Sequence, residues 1–172
     1  MDDLALKQIQ ILREASNVKR CHVFTYHGEY TVGKHTYDML SLLFILHKKP
    51  SLNLIRAVHM HDVAERWFGD IPANLKMSSP MIDMAIGQME KDQLEAAGFR
   101  TEALTTVEEQ WLKALDKLEL WLWCKDQYVL GNLTVQIIAR RVEQWVKEHR
   151  QHIPTPILYV FTNYRWTRTE EV

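Results

Sequence analysis

The stretch TTVEEQWLKALDKLELWLWCKD, residues 105–126, decides the fold. Trp111, Leu112, Leu115, Leu118 and Leu122 recur at spacings of three and four, the repeat that gathers side chains on one face of an α-helix. The pattern predicts a helix from about Thr105 to Asp126. Asp116 interrupts its apolar stripe. A carboxylate there is costly unless it is ion-paired or metal-bound, so Asp116 is either a metal ligand or the partner of Lys113 or Lys117 on the helix exterior.

Working outward, the same period recurs along the chain. A first helix capped by Asp2 and Asp3 runs to about Glu14, with Leu4, Ile9 and Leu12 inward. Residues 17–33 read as a long irregular connection carrying Arg20, Cys21 and His22, and long connections in small domains are often functional. A second helix spans about Lys34 to His47, with His35 in its first turn. Ser51 caps a third, which carries His61 and Asp62 towards its end and is closed by Gly69 and Pro72. Ser79-Pro80 opens a fourth, with Met81, Met84 and Met89 on its inner face, ending near Gly98. Asn132 begins a helix to about Gln151, and Thr155-Pro156 a short last one. Strand periodicity, repeats and low-complexity segments are absent, so the expected fold is an all-α, compact helical bundle forming a single domain over 1–172.

Composition bounds the function. A chain of 172 residues, 47% hydrophobic, can bury a core without disulfides or a structural metal. A net charge of -1 argues against binding a nucleic-acid polymer. Cys21 and Cys124 form no paired framework, the N-terminus has no signal-peptide pattern, and no apolar run approaches the ~20 residues of a membrane span. The expected location is cytoplasmic, that of a host if the chain is phage-encoded.

The segment HDVAERWFGDIPANLK, residues 61–76, concentrates the chemistry. On a continuous helix Glu65 shares a face with His61 and Asp62, which sets an acid or base beside a ligand pair. His35, His61, Asp62 and Asp116 together offer nitrogen and oxygen donors, a set suited to a divalent Mn, Co, Fe, Ni or Mg ion rather than to a thiolate-rich structural zinc. Such an ion polarises phosphoryl oxygens and acidifies water, which suits phosphate-ester hydrolysis.

In this order, H…HD…D, the four residues resemble the signature of HD-domain phosphohydrolases, an all-α metal-dependent superfamily. The match is nearest to its compact 5′-deoxynucleotidase branch. Residues 61–76 resemble that branch's H-D-x-x-E-x-x-x-G-D-x-P-x-x-x-K, Thr31–Thr36 its V-x-E-H-S, and Lys113–Leu118 its K-x-x-D-x-L. The resemblance covers roughly residues 15–125. It implies an HD-domain bundle in which His35, His61, Asp62 and Asp116 bind the metal. Glu65 and Asp70 would act on the attacking water and the leaving 5′-oxygen, while Arg20 and Lys76 would hold phosphate oxygens. Ile71 and Pro72 would face sugar or base.

Cys21 stands where the branch usually has tryptophan beside the sugar, and Lys34 where it has an acidic residue. The short spacings resemble small phage-type enzymes that strip triphosphate from deoxynucleotides, including dATP triphosphohydrolases. The expected activity is hydrolysis of the ester between the 5′-oxygen and the α-phosphorus of a dNMP or dNTP, releasing deoxynucleoside. Alternatives on the same scaffold are a nucleotide pyrophosphatase, a cyclic-nucleotide phosphodiesterase and a catalytically silent nucleotide-binding module. Trp111, Trp121, Trp123 and Trp145 suggest more apolar surface than one chain covers, hence a homo-oligomer, dimer or larger.

Overall fold

The computed structural model describes residues 3–76, 78–100 and 102–165. Over these residues the chain is all-α, with no strand. The helices are α1 (Asp3–Ala15), α2 (Val32–Leu46), α3 (Leu52–Met60), α4 (Glu65–Phe68), α5 (Ala73–Lys76), α6 (Pro80–Ala96), α7 (Thr106–Val129), α8 (Gln136–His149) and α9 (Thr155–Asn163). A 3-10 turn, Arg150–His152, links α8 to α9. The cap expected at Asp2 falls outside the described residues.

The axis of the fold is α7. A reciprocal cap fixes its start: the Thr105 hydroxyl accepts from the Glu108 N–H at 3.3 Å, and the Glu108 carboxylate accepts from the Thr105 N–H at 2.8 Å. Leu115 and Leu118 are fully buried, against Met39 and Leu43 of α2, Leu54 and Val58 of α3, and Ile157 of α9. Full burial of each such side chain stabilises by about 1.5–3 kcal/mol. The same packing sets α2, α3 and α7 against one another. His35 lies on α2, His61 at the end of α3 and Asp116 on α7, so the core carries the candidate ligands into proximity.

Two smaller clusters flank this core. Ile11 and Ala15 of α1 pack with Val63, Ala64 and Leu94, while Tyr30 packs with Trp123, Cys124 and Val135. Gly33 allows a close approach: a Cβ there would lie 2.9 Å from Ser16 Cβ and 3.0 Å from Ser16 O. The first turn of α2 therefore abuts the end of α1 with no room for a side chain.

Several expectations change. Ile11 and Ala15 face inward on α1, whereas Leu4 and Ile9 are exposed: the N-terminal half of the helix only borders Ala97 and Gly98 through Leu4 and Gln8, and the buried cluster lies at its C-terminal end. Met81, Met84 and Met89 of α6 are exposed as well, since the described contacts of that helix are with the short α5 and, through Leu94, with α1 and the residues before α4. Trp111, Trp121 and Trp123 are buried within the chain, which removes them as grounds for association. Asn132 caps the turn before α8 by accepting from the Thr134 N–H at 3.0 Å, and α8 proper begins four residues later. Among the described residues, no helix is long and apolar enough to cross a membrane.

Candidate metal centre

The third helix does not run through residues 61–68. It stops at His61, and the chain continues in tight turns in which the N–H groups of Val63, Glu65, Arg66 and Trp67 bond to the carbonyls three residues before them. Three residues per turn places i and i+3 in line, so Asp62 and Glu65 stack on one side. The pairing expected from an α-helix thus survives by a different geometry.

His35 Nε2 and His61 Nε2 face each other at 3.1 Å. Asp62 Oδ2 lies 3.1 Å from His61 Nε2 and 3.7 Å from His35 Nε2. These three donor atoms form a group able to hold a metal ion. Asp116 joins from α7, its Oδ1 being 3.4 Å from His35 Nε2, while its Oδ2 is paired with Lys117 Nζ at 2.8 Å. The ion pair with Lys117 is therefore present, while Oδ1 stands beside His35 without belonging to the three-donor group.

The second nitrogen of each imidazole is already engaged. His61 Nδ1–H donates to the Val58 carbonyl at 2.8 Å, and His35 Nδ1–H donates to Glu119 Oε2. With Nδ1 engaged in this way, both Nε2 atoms are turned to the same point, within hydrogen-bond distance of each other. Burial disfavours charge on the His61 ring, but Asp62 outweighs it and favours a proton there, so a bound cation would take the place of that proton. Donors at right angles about 2.1 Å from an ion lie about 3 Å apart, which the 3.1 Å separations match. The ligand set fits a divalent ion.

Arg20 reaches into this group from the loop between α1 and α2. Its Nη1 is hydrogen-bonded to Asp62 Oδ2 and lies 3.8 Å from Glu65 Oε1; its Nη2 lies 3.6 Å from Asp116 Oδ1. Burial disfavours the guanidinium charge, but Asp62 first and Asp116 after it outweigh it and hold Arg20 firmly protonated. Burial likewise pushes the Asp62 carboxyl up, and His61 and Arg20 overcome it, leaving Asp62 well below the usual range. Asp116 is held low in the same way, chiefly by Lys117 against its own burial.

Glu65 is the exception. Its residue is 8% exposed and its Oε2 is buried with no hydrogen-bond partner among the described residues. Burial first, and the neighbouring Asp62 second, push its carboxyl up to about 8. It is a carboxylic acid at neutral pH, set beside ionised carboxylates, the separation of roles that acid–base sites use.

The remaining expected site residues sit around this group in different ways. Asp70 Oδ2 accepts from the Cys21 N–H at 2.6 Å and lies 3.8 Å from His22 Nδ1, so its described bonds anchor the loop rather than face the ligands. Cys21 is half-buried with φ +52°, a left-handed conformation uncommon outside glycine. That bend, together with the Arg20 N–H bond to the Tyr30 carbonyl at 2.9 Å, shapes the loop that delivers the guanidinium. Burial pushes the Cys21 thiol up to about 12, which keeps it protonated. Lys76 is paired with Glu90 of α6 at 3.2 Å, and Lys34 with Asp38 at 2.6 Å. Ile71 and Pro72 are half-buried in the segment joining α4 to α5.

Two residues of the site are not foreseen. Glu119, 3% exposed, bonds His35 and accepts from the Tyr30 hydroxyl at 2.5 Å. The signal for Glu119 is the one that marks Asp116, a carboxylate on the apolar face of α7, repeated one turn later. No protein-family model and no curated protein matches the chain, so the meaning of the site rests on its own chemistry.

Proposed function

We propose that the chain is a metal-dependent phosphohydrolase of the HD type acting on 5′-deoxynucleotides. It cleaves the ester between the 5′-oxygen and the α-phosphorus and releases deoxynucleoside. The observation that carries this reading is the convergence of His35 Nε2, His61 Nε2 and Asp62 Oδ2 beside a protonated Glu65 and a charged Arg20. His35, His61 and Asp62 hold a divalent ion, with Asp116 Oδ1 as a fourth donor. When bound, that ion supplies Lewis acidity to a phosphoryl oxygen and acidifies water.

The chain's own residues supply the rest. Arg20 carries two guanidinium nitrogens at the ligand set, and its fork matches two oxygens of a phosphoryl group. Glu65 holds a proton at neutral pH and gives it to the departing 5′-oxygen, which otherwise leaves as an alkoxide. Asp70 acts one step removed, by fixing the Cys21 backbone and with it the approach of Arg20. Lys76 meets further phosphate oxygens only by giving up Glu90. A homo-oligomer belongs to this proposal too; the exposed Tyr37, Phe44 and Ile45 of α2, rather than the buried Trp111, Trp121 and Trp123, are among the apolar side chains able to contribute to it.

The test is product analysis. Purified protein is incubated with each dNMP, dNTP and matching ribonucleotide, with Mn, Co or Mg and with a chelator. Deoxynucleoside released from a dNMP or dNTP only when metal is present supports the proposal. Nucleoside monophosphate plus pyrophosphate from a dNTP, or turnover of a cyclic nucleotide alone, refutes it.

A further inference from the structure

The two nitrogens of His35 are clasped by two carboxylates of one helix. Asp116 Oδ1 lies 3.4 Å from Nε2, and Glu119, one turn further along α7, takes the Nδ1 proton on the opposite edge of the ring. His35 and Tyr30 have no exposure and Glu119 has 3%. The Tyr30 hydroxyl donates to the same Glu119 oxygen at 2.5 Å and is 3.3 Å from His35 Nδ1. Its ring is fixed by stacking on Trp123, with centroids 4.3 Å apart and planes 12° apart. Groups from two other places in the chain, Tyr30 of the loop before α2 and Asp116 and Glu119 of α7, are locked around one imidazole of α2.

Burying a carboxylate costs several kcal/mol unless hydrogen bonds and charge compensate it, and Glu119 bonds only a phenol and an imidazole among the described residues. An apolar side chain would serve the fold better. What the carboxylate provides is chemical: it holds the proton on Nδ1 and turns Nε2 towards His61 and Asp62.

We infer that Glu119, steadied by Tyr30, is the positioning residue that sets His35 as a metal ligand. This rests on the metal-dependent reading of the site. Glu119 lies behind the ligand and touches none of the reacting groups. Tyr30 limits its rotation by occupying the lone pair next to the one used by His35.

The test uses the full chain and Co²⁺ as the probe, with affinity measured by competition against a chelator and the ligand field by visible absorption. The comparison is wild type, His35→Ala, Glu119→Gln and Tyr30→Phe, with thermal unfolding of each metal-free protein. Glutamine keeps the size and an acceptor for Nδ1–H but removes the charge. The expected result is binding by wild type, its loss in His35→Ala, a 10- to 100-fold weakening in Glu119→Gln with an altered spectrum, and a smaller weakening in Tyr30→Phe. Metal-free Glu119→Gln should unfold at a temperature no lower than wild type, which a merely structural role would not produce. If Glu119→Gln does not fold, Tyr30→Phe decides alone. Wild-type affinity and spectrum in the folded variants, with His35→Ala still deficient, overturn the inference and leave the metal reading standing. Absence of Co²⁺ binding by wild type overturns both.

Discussion

Replacing Glu65 by glutamine exposes the tension built into the site. In the metal-free protein its carboxyl titrates at about 8, whereas the unfolded chain titrates near 4.5. A group whose pKa is raised on folding holds its proton more tightly in the folded state. Its contribution to stability is therefore full below pH 4.5, declines as pH rises through the window, and is gone above about pH 8. One proton retained across that window changes stability by up to about 1.4 kcal/mol per pH unit, so the total is on the order of a few kcal/mol. The 10% side-chain exposure leaves little solvent screening to reduce it.

Glu65→Gln removes the titration and keeps the shape. Urea unfolding with a chelator present, at pH 5 and pH 8.5, should show the variant gaining on wild type by a few kcal/mol between the two. Hydrolysis should move the other way, falling by about 10²–10⁴-fold, because the leaving oxygen loses its proton donor. A stability difference between variant and wild type that is the same at both pH values would refute the account of Glu65.

Other substitutions test separate parts. Gly33→Ala forces a Cβ to within 2.9 Å of Ser16 Cβ and should destabilise by about 1–3 kcal/mol in urea unfolding, with weaker metal binding because His35 follows two residues later; an unchanged midpoint would contradict the close packing. Asp70→Ala removes the acceptor of the Cys21 N–H and should raise KM and quicken proteolysis within residues 17–31 while leaving metal affinity near wild type; a lost metal site would show that Asp70 belongs to it. Lys117→Met removes the cation that does most to hold Asp116 low, so on acidification bound Co²⁺ should be released at higher pH than from wild type; an unmoved release curve would assign the low Asp116 titration to His35 and Arg20.

How much of this is legible in the sequence depends on the distance over which each signal acts. The period of three and four in residues 105–126 is local, and it places α7 and its buried Leu115 and Leu118 without further information. His35, His61, Asp62 and Asp116 stand out because polar groups on apolar helix faces need a reason, and the structure brings the first three into one group with Asp116 beside His35. Glu119 carries the same signal, but its meaning depends on Tyr30, 89 residues away in the chain. The role of Arg20 is likewise non-local, since it is set by the Cys21 bend and by carboxylates from two other segments. The outward methionines of α6 show the converse: an apolar helical face says that something can pack there, not that this chain provides it.

A shared economy runs through the site. Asp62, Asp116, Arg20 and Lys117 are ionised because each has an opposite charge beside it, and Glu65 is neutral first because it is buried and second because its neighbour is Asp62. On the proposed reading, a divalent ion would enter a group already organised by sign, with its imidazoles turned and its acid protonated. Such preorganisation would stabilise the charge that develops in the proposed hydrolysis without reorganisation during the reaction.

The central claim is that His35, His61 and Asp62 hold the ion on which hydrolysis depends. Its most direct test is equilibrium dialysis against Mn²⁺ with elemental analysis, run beside deoxynucleotide hydrolysis, for wild type and Asp62→Ala. The account predicts one ion per wild-type chain, and loss of both the ion and the hydrolysis in Asp62→Ala. Hydrolysis that persists in Asp62→Ala, or a wild-type chain that turns over substrate without bound metal, would contradict it.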